Sequence, residues 1–486
     1  MRIVFATAEV SPVAKTGGLG DVCGSLPKAL TKLGHDVVVF MPFYRQARHW
    51  FEKNEQTVHQ LMPTVTIAWD GWTADATFLR ANLPGTSIPL VMVANDFFFE
   101  RDQIYQTADG IDDSVLRYAF FCRAVIRGCE LLDIAPDLLH CHDWHTALLP
   151  VYLHSGLRGE SHFARTRSVY TIHNLNYQGI AGPESFALTG LHSRYWAPDA
   201  LEHFGALNLM KGGIVFADQV TTVSPTYARE VQGSEHGAGL DGVLRAVSHR
   251  FHGILNGIDD EWDPATDELL PANYDADTIR DKAKNKRALL KEAGLTYSAK
   301  TPVITAISRL VDQKGFQLLI PVLERLLAAG AQVLILGSGE PALEDAFRRI
   351  SAAYPERCRA FIGFDNALAH RMYAGGDMLL MPSIYEPCGL NQMYALRYGT
   401  LPIVRLTGGL ADTVIPFDGT NEESANGFGF VAATPFELYL ATWIAMLNFK
   451  DAAVWKSLRA NGMACDFSWD RSARAYDAVY KLAAGA

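Results

Sequence analysis

Residues 15–22 read KTGGLGDV, and how this stretch is read decides the fold. It follows RIVFATAE (2–9), an apolar run of strand character. It leads into DVCGSLPKALTKLG (21–34), whose apolar residues recur at helical spacing. Strand, glycine-rich turn and helix in that order make a βα unit of a parallel sheet. Two adjacent glycines leave the backbone bare, so N–H groups at the positive end of a helix lie open to an anion. Neither G-x-G-x-x-G nor G-x-x-x-x-G-K-[ST] fits the spacing. The phrase returns once, as TGGLADTV at 407–414, behind the strand-like LPIVRL (401–406), which predicts a second unit of the same kind. The competing reading makes both copies turns that pack helix on sheet.

Outward from these two points the same rhythm continues. In the first half DVVVFMP, PLVMVAND, DLLHCHD, SVYTIHN and DQVTTVSP join RIVFATAE as strand candidates. After about residue 255 the series restarts with TPVITAISRL, AQVLILGSG, CRAFIGF, DMLLMPS and LPIVRL. The acidic, turn-rich LNGIDDEWDPATDELLPANYDADT (255–278) is read as a linker, and DFSWDRSARAYDAVYKLAAG (466–485) as a closing helix with Asp470 as its N-cap. A chain of 486 residues is long enough for two cores of roughly 200 residues. The expected fold class is α/β, two doubly wound Rossmann-like domains, over 1–250 and 256–461, with 462–486 as the terminal helix. In such sheets ligands gather beyond the carboxyl ends of the strands.

Composition narrows the partners. A net charge of −10 and no dense Lys/Arg block argue against nucleic acid and anionic membrane. The N-terminus lacks the apolar core of a signal peptide, and no stretch approaches 18 apolar residues. Seven scattered cysteines without C-x-x-C spacing point to a reduced, cytoplasmic setting.

ISRLVDQKG places Arg309 and Lys314 just past a strand, where a fork donor and a point charge suit a diphosphate. PSIYEPCGLNQMYALRYG sets Glu386 on a turn, with Cys388 and Gly389 at the expected start of a helix. There a carboxylate takes sugar hydroxyls while backbone N–H groups face phosphate. A thiol in that position has a lowered pKa and raised reactivity. HCHDWH (140–145) comes close to the H-x-H-x-D-H spacing of metallo-hydrolases, but its aspartate is one place early. His140 and His142, read as alternating along a strand, are expected to divide, one of them pointing into the sheet. No metal site is expected.

Seven motifs in order, KTGGLGDV, HCHDWHTALLP, TIHNLNYQG, LNGIDDEWDPATD, SRLVDQKG, EPCGLNQMYALRYG and TGGLADTV, resemble the bacterial glycogen synthase and plant starch synthase family over essentially the whole chain. The resemblance implies a GT-B fold whose two domains face across a deep cleft. It also implies an ADP-glucose donor, an α-1,4-glucan acceptor extended at its non-reducing end, retention of configuration, and neither metal nor pyridoxal phosphate. It implies that Lys15, Asp21, Asp143, His173 and Glu386 are catalytic. Donor binding then falls to Lys15, Gly17, Gly18, Asn256, Arg309, Lys314, Phe364, Cys388, Gly389 and Leu390, with the C-terminal helix returning to the first domain. The chain departs from the family pattern at Ile384, where a basic residue is common, at Asn391, where threonine is, and at GFDN (363–366), where G-Y-H-E is. Oligomeric state is not legible. A phosphorylase-like enzyme, a UDP-glucose-dependent transferase and a non-catalytic glucan-binding protein are the rival readings; a pyridoxal absorption band or donor turnover separates them.

Overall fold

Each of the eleven apolar runs forms a strand, most of them because their Val, Ile, Leu and Phe side chains are buried on both faces of a parallel sheet, as in Arg2–Ala6, where Ile3, Val4, Phe5 and Ala6 have no exposure; the edge strand Cys358–Ile362 is only partly buried. The computed structural model describes residues 1–105, 112–159 and 162–485. The chain divides into one unit of Met1–Gly257 with Trp469–Ala486 and another of Ile258–Ser468.

In the first unit the parallel strands run in the order Phe251–Gly253, Gln219–Thr222, Arg167–Ile172, Leu138–His142, Arg2–Ala6, Asp36–Pro42, Pro89–Ala94. The order reverses direction at Arg2–Ala6: on one side lie the next strands of the chain, Asp36–Pro42 and Pro89–Ala94, and on the other the later ones, beginning with Leu138–His142. Beyond Pro89–Ala94 the sheet turns antiparallel through the long strand Trp72–Asn82, which pairs with Val65–Trp69 in a hairpin. That hairpin was not among the expected elements. Asp70 and Gly71 close it with φ of 38° and 83°, the double positive φ of a tight two-residue turn.

The second unit is a six-stranded parallel sheet in the order Cys358–Ile362, Gln332–Gly337, Val303–Ile307, Met378–Met381, Leu401–Arg405, Phe428–Phe430. Its switch in strand order lies between Val303–Ile307 and Met378–Met381.

Three expectations change. The acidic stretch after Gly257 is a packed part of the second unit and not a linker. The Trp262 ring stacks at 3.9 Å on both His370 and Tyr394, and buried Asp267 accepts a hydrogen bond from the Tyr398 hydroxyl at 2.6 Å and pairs with His370 at 2.8 Å. The divisions fall at 257/258 and 468/469, not near 250–256 and 461/462. The helix Ala452–Met463 runs past 462, and the backbone at Gly257 lies against Trp469 so closely that a Cβ there would meet its nitrogen at 2.7 Å. Asp470 lies inside the first turn of the helix Trp469–Ala484 instead of capping it. That helix buries Ala473, Tyr476 and Tyr480 against the first helix, Gly18–Lys32, and the strand Arg167–Ile172. No helix among the described residues is long and apolar enough to cross a membrane.

Candidate active site

Each unit carries a cluster of the expected residues at the carboxyl ends of the strands flanking its switch point, where the loops leave room for a ligand. In the first unit the loop after Arg2–Ala6 leads to the helix Gly18–Lys32. Sequence reasoning missed Glu9, which organises this loop. One oxygen of its buried carboxylate, Oε2, accepts from the amides of Thr16 (2.6 Å) and Gly17 (3.0 Å), and the other accepts from the Tyr105 hydroxyl. Burial pushes the Glu9 carboxyl up, against the pull of these hydrogen bonds. The amide of Gly17 therefore faces a carboxylate and not an anionic ligand. The next two amides, of Gly18 and Leu19, open the helix and have no intrahelical partner by the geometry of a helix start. Gly17 and Gly18 themselves face open space. Lys15 lies beside them, its ammonium 2.6 Å from Asp21, with both side chains partly exposed. A cavity of about 490 Å³ opens next to Lys15 and Thr16, walled by Arg45, Gln46, His49 and Asp102.

The neighbouring strands Leu138–His142 and Arg167–Ile172 bring Asp143 and His173 to the same end of the sheet. Asp143 holds φ at +53°, a strained value for a residue with a side chain. Its amide donates to Thr171 O (2.9 Å) and its Oδ1 accepts from the amide of His173 (2.7 Å), so two strands over-determine the strained turn. Burial raises the Asp143 carboxyl to about 7 despite those amides, and burial lowers His173 and His145 to about 3. The histidines of HCHDWH do not divide across the sheet. His140 and His142 are two residues apart on one strand and share a face, with ring centroids 4.1 Å apart. Among the described residues no group of three or more His, Cys, Asp or Glu could hold a metal. Asn256 falls in the first unit, buried, with Oδ1 lacking a partner.

In the second unit Arg309 is exposed just beyond Val303–Ile307, and Lys314 ends a short 3₁₀ turn. Lys314 Nζ lies 2.6 Å from Glu386 Oε2, which also accepts from Ser383 Oγ at 2.9 Å. Glu386 is 5% exposed, and its Oε1 has no partner among the described residues. One carboxylate oxygen is thus held by protein while the other is free for a hydroxyl. Asn391 Nδ2 donates to Ile307 O at 2.5 Å, tying this loop to the strand that presents Arg309. Ile384 gives its carbonyl to Arg405 at 2.6 Å. Phe364 is 89% exposed after Gly363, a free face for stacking.

Cys388 is displaced from its expected position. It is 5% exposed and precedes a seven-residue helix, Asn391–Arg397, whose N-cap is Leu390. The second GG pair is what holds this loop. A Cβ on Gly408 would lie 1.9 Å from Glu386 O and one on Gly409 2.0 Å from Cys388 O, and the Gly409 amide donates to Glu386 O at 3.1 Å. The two copies of the phrase therefore differ: the first presents open backbone beside a cation, the second is a packing glycine pair under the Glu386 loop.

Residues 2–246 match the family described as starch synthase catalytic domain, and residues 292–433 the family described as glycosyl transferases group 1. The chain is 45% identical to the glycogen synthase of Geotalea uraniireducens over 486 residues and 43% identical to that of Thermotoga maritima over 485, with 99% of each chain covered in both cases. Among solved structures, the catalytic domain of starch synthase IV from Arabidopsis thaliana bound to ADP and acarbose is similar with a TM-score of 0.90 at 35% identity, covering 100% of this chain and 99% of that one. Sucrose-phosphate synthase from Thermosynechococcus elongatus shares the fold with a TM-score of 0.61 at 17% identity, covering 99% of this chain and 98% of that one.

Proposed function

We propose, for a chain that belongs to the glycogen and starch synthase family of GT-B glycosyltransferases, a division of labour among the residues that make it a glycogen synthase, a glucosyltransferase using ADP-glucose. The family uses neither metal nor pyridoxal phosphate. Cleaving the bond between glucose C1 and the diphosphate builds positive character on the sugar and negative charge on the leaving phosphate, so cations and N–H donors at the phosphate stabilise the transition state most. Lys15 with the open amides of Gly18 and Leu19, and Arg309 with Lys314, are these groups. Lys15 exchanges Asp21 for phosphate on donor binding, at small cost because an exposed ion pair is weak. Glu386, with Oε1 free, takes hydroxyls of the transferred glucose, and Phe364 stacks on the adenine. Asp143, Asn256 and His173 line the sugar. Gly389 and Leu390 complete the phosphate side through their backbone, and Cys388 supports them from beneath.

Retaining hydrolases place two carboxyl groups about 5–5.5 Å apart, one as nucleophile. No motif here pairs acids in that way, so the acceptor hydroxyl attacks from the face the diphosphate leaves, and a phosphate oxygen receives its proton. His173, neutral at working pH, orients a sugar hydroxyl and does not act as the base. The acceptor is the non-reducing end of an α-1,4-glucan, a reading supported by the acarbose and ADP of the Arabidopsis structure. Seven cysteines, none joined in a disulfide among the described residues, support a reducing compartment, the cytoplasm.

The observation that carries this reading is the placement of Lys15 at one switch point and Arg309 and Lys314 at another, each beside the loop that would meet a sugar nucleotide. Turnover of ADP-glucose and UDP-glucose by the wild type and by Lys15→Gln and Arg309→Ala tests it. The expected outcome is preference for ADP-glucose and a loss of about 10²-fold or more in kcat/KM in each variant, with unchanged melting temperature. Near-normal turnover in Lys15→Gln, or loss only through unfolding, overturns the phosphate role.

A further inference from the structure

A buried line of rings runs from the C-terminal helix to His173. The Tyr480 hydroxyl lies 2.8 Å from His140 Nδ1, and His140 Nε2 lies 2.7 Å from Thr171 Oγ1. The His142 ring packs against both His140 and Phe5, with centroids at 4.1 Å and 4.2 Å, and those two rings touch each other at 4.7 Å. His142 Nδ1 is 2.9 Å from His173 Nε2. Tyr480, His140, His142 and Phe5 have no exposure, and His173 has 8%.

A hydrogen bond between two ring nitrogens holds one proton, and burial decides whose it is. His142 Nε2 is buried without a partner. Were the proton there, a buried N–H would be orphaned; with the proton on Nδ1, only a lone pair goes unmet. Orphaned buried N–H groups are the rarer and costlier of the two. His142 is therefore protonated at Nδ1 and donates to Nε2 of His173. Burial keeps both rings neutral, so His173 carries its single proton on Nδ1, which has no partner among the described residues.

We propose that His142 is a positioning residue that fixes His173 as the Nδ1–H tautomer, so that His173 meets the substrate as a hydrogen-bond donor to a sugar oxygen. This rests on the reading of His173 as a group lining the sugar. Sequence spacing shows none of it, because the tautomer follows from a contact between two strands.

Long-range ¹H–¹⁵N correlation on protein labelled in its imidazoles tests the assignment, with the His173 signals identified by their loss in His173→Gln. The expected result is a protonated Nδ1 and a bare Nε2 on His173 between about pH 6 and 8. His142→Phe removes the donor and should give a mixture of tautomers, with kcat on ADP-glucose down on the order of tenfold and donor KM nearly unchanged. His142→Asn keeps an N–H at similar reach and should restore both the tautomer and kcat. A proton on Nε2 of wild-type His173 overturns the assignment. An unchanged tautomer in His142→Phe, or loss of kcat that Asn fails to rescue, overturns the positioning role. The stated tautomer in a wild type that turns over no sugar nucleotide would instead sink the functional reading and leave the assignment standing.

Discussion

Two single residues reverse what their local sequence suggests. Glu9, an unremarked acid at the end of a strand, holds the amides of Thr16 and Gly17, so the loop is set by a carboxylate before any ligand arrives. Cys388, expected as a reactive thiol at a helix start, is buried ahead of that helix. Thiolate chemistry requires access as well as a low pKa, and Cys465 is the one cysteine of the seven that is not fully buried. Alkylation of the native protein followed by peptide mapping should therefore modify Cys465 first and leave Cys388 largely intact. Rapid labelling of Cys388, blocked by ADP, would restore the original expectation.

At the level of elements, the repeated phrase separates into two devices. Gly17 has extended backbone (φ −151°) and nothing within 4 Å of a Cβ, so Gly17→Ala should fold with wild-type stability. Gly409→Ala places a methyl against the Cys388 carbonyl and forces the Glu386 loop to move. That variant should lose about 2 kcal/mol or more by urea unfolding, together with most of its activity. Equal stability of the two variants would mean that the second pair is not a packing contact. A similar contrast concerns Lys282, whose buried ammonium donates to the carbonyls of Tyr373, Ala374 and Tyr398 and to the Thr400 hydroxyl at 2.7–3.0 Å. Lys282→Met strips four acceptors of one donor, and should destabilise by about 2 kcal/mol or more on the same assay without altering donor KM.

For the molecule as a whole, the buried histidines set the pH dependence of stability. Burial depresses His140, His142, His145 and His173 and raises the carboxyls of Glu9 and Asp143. A depressed imidazole contributes stability that is present above its unfolded pKa of about 6.5 and is lost as pH falls toward the folded value, here about 3 for His145 and His173. A raised carboxyl acts oppositely: its contribution is present below about 4 and is lost as pH rises through about 7 for Asp143. Four imidazoles outweigh two carboxyls, so the melting temperature should fall as pH drops from about 7 to about 5. Scanning calorimetry across that range checks the sign; a constant or rising melting temperature would mean that the imidazoles do not outweigh the carboxyls. His145→Phe, which keeps an aromatic ring against Tyr105, should shrink the slope.

What the sequence determined by itself was whatever a few consecutive residues enforce. Apolar runs became strands, KTGGLGDV became a strand-to-helix turn, and Arg309, Lys314 and Glu386 stood at strand ends, because burial and backbone geometry act over one element. The Asp70–Gly71 hairpin belonged to the same legible class, since a D-G pair between alternating residues is a local turn signal. Only the tertiary structure decided which partner each polar group met. Glu9 reaches Tyr105, Lys314 reaches Glu386, Gly409 reaches Cys388, and His142 reaches His173. Each pair joins residues from 21 to 96 positions apart, brought together because parallel strands with crossover connections line up the ends of distant segments. A hydrogen bond or a backbone contact of that kind depends on register across the sheet, and no spacing along the chain encodes it.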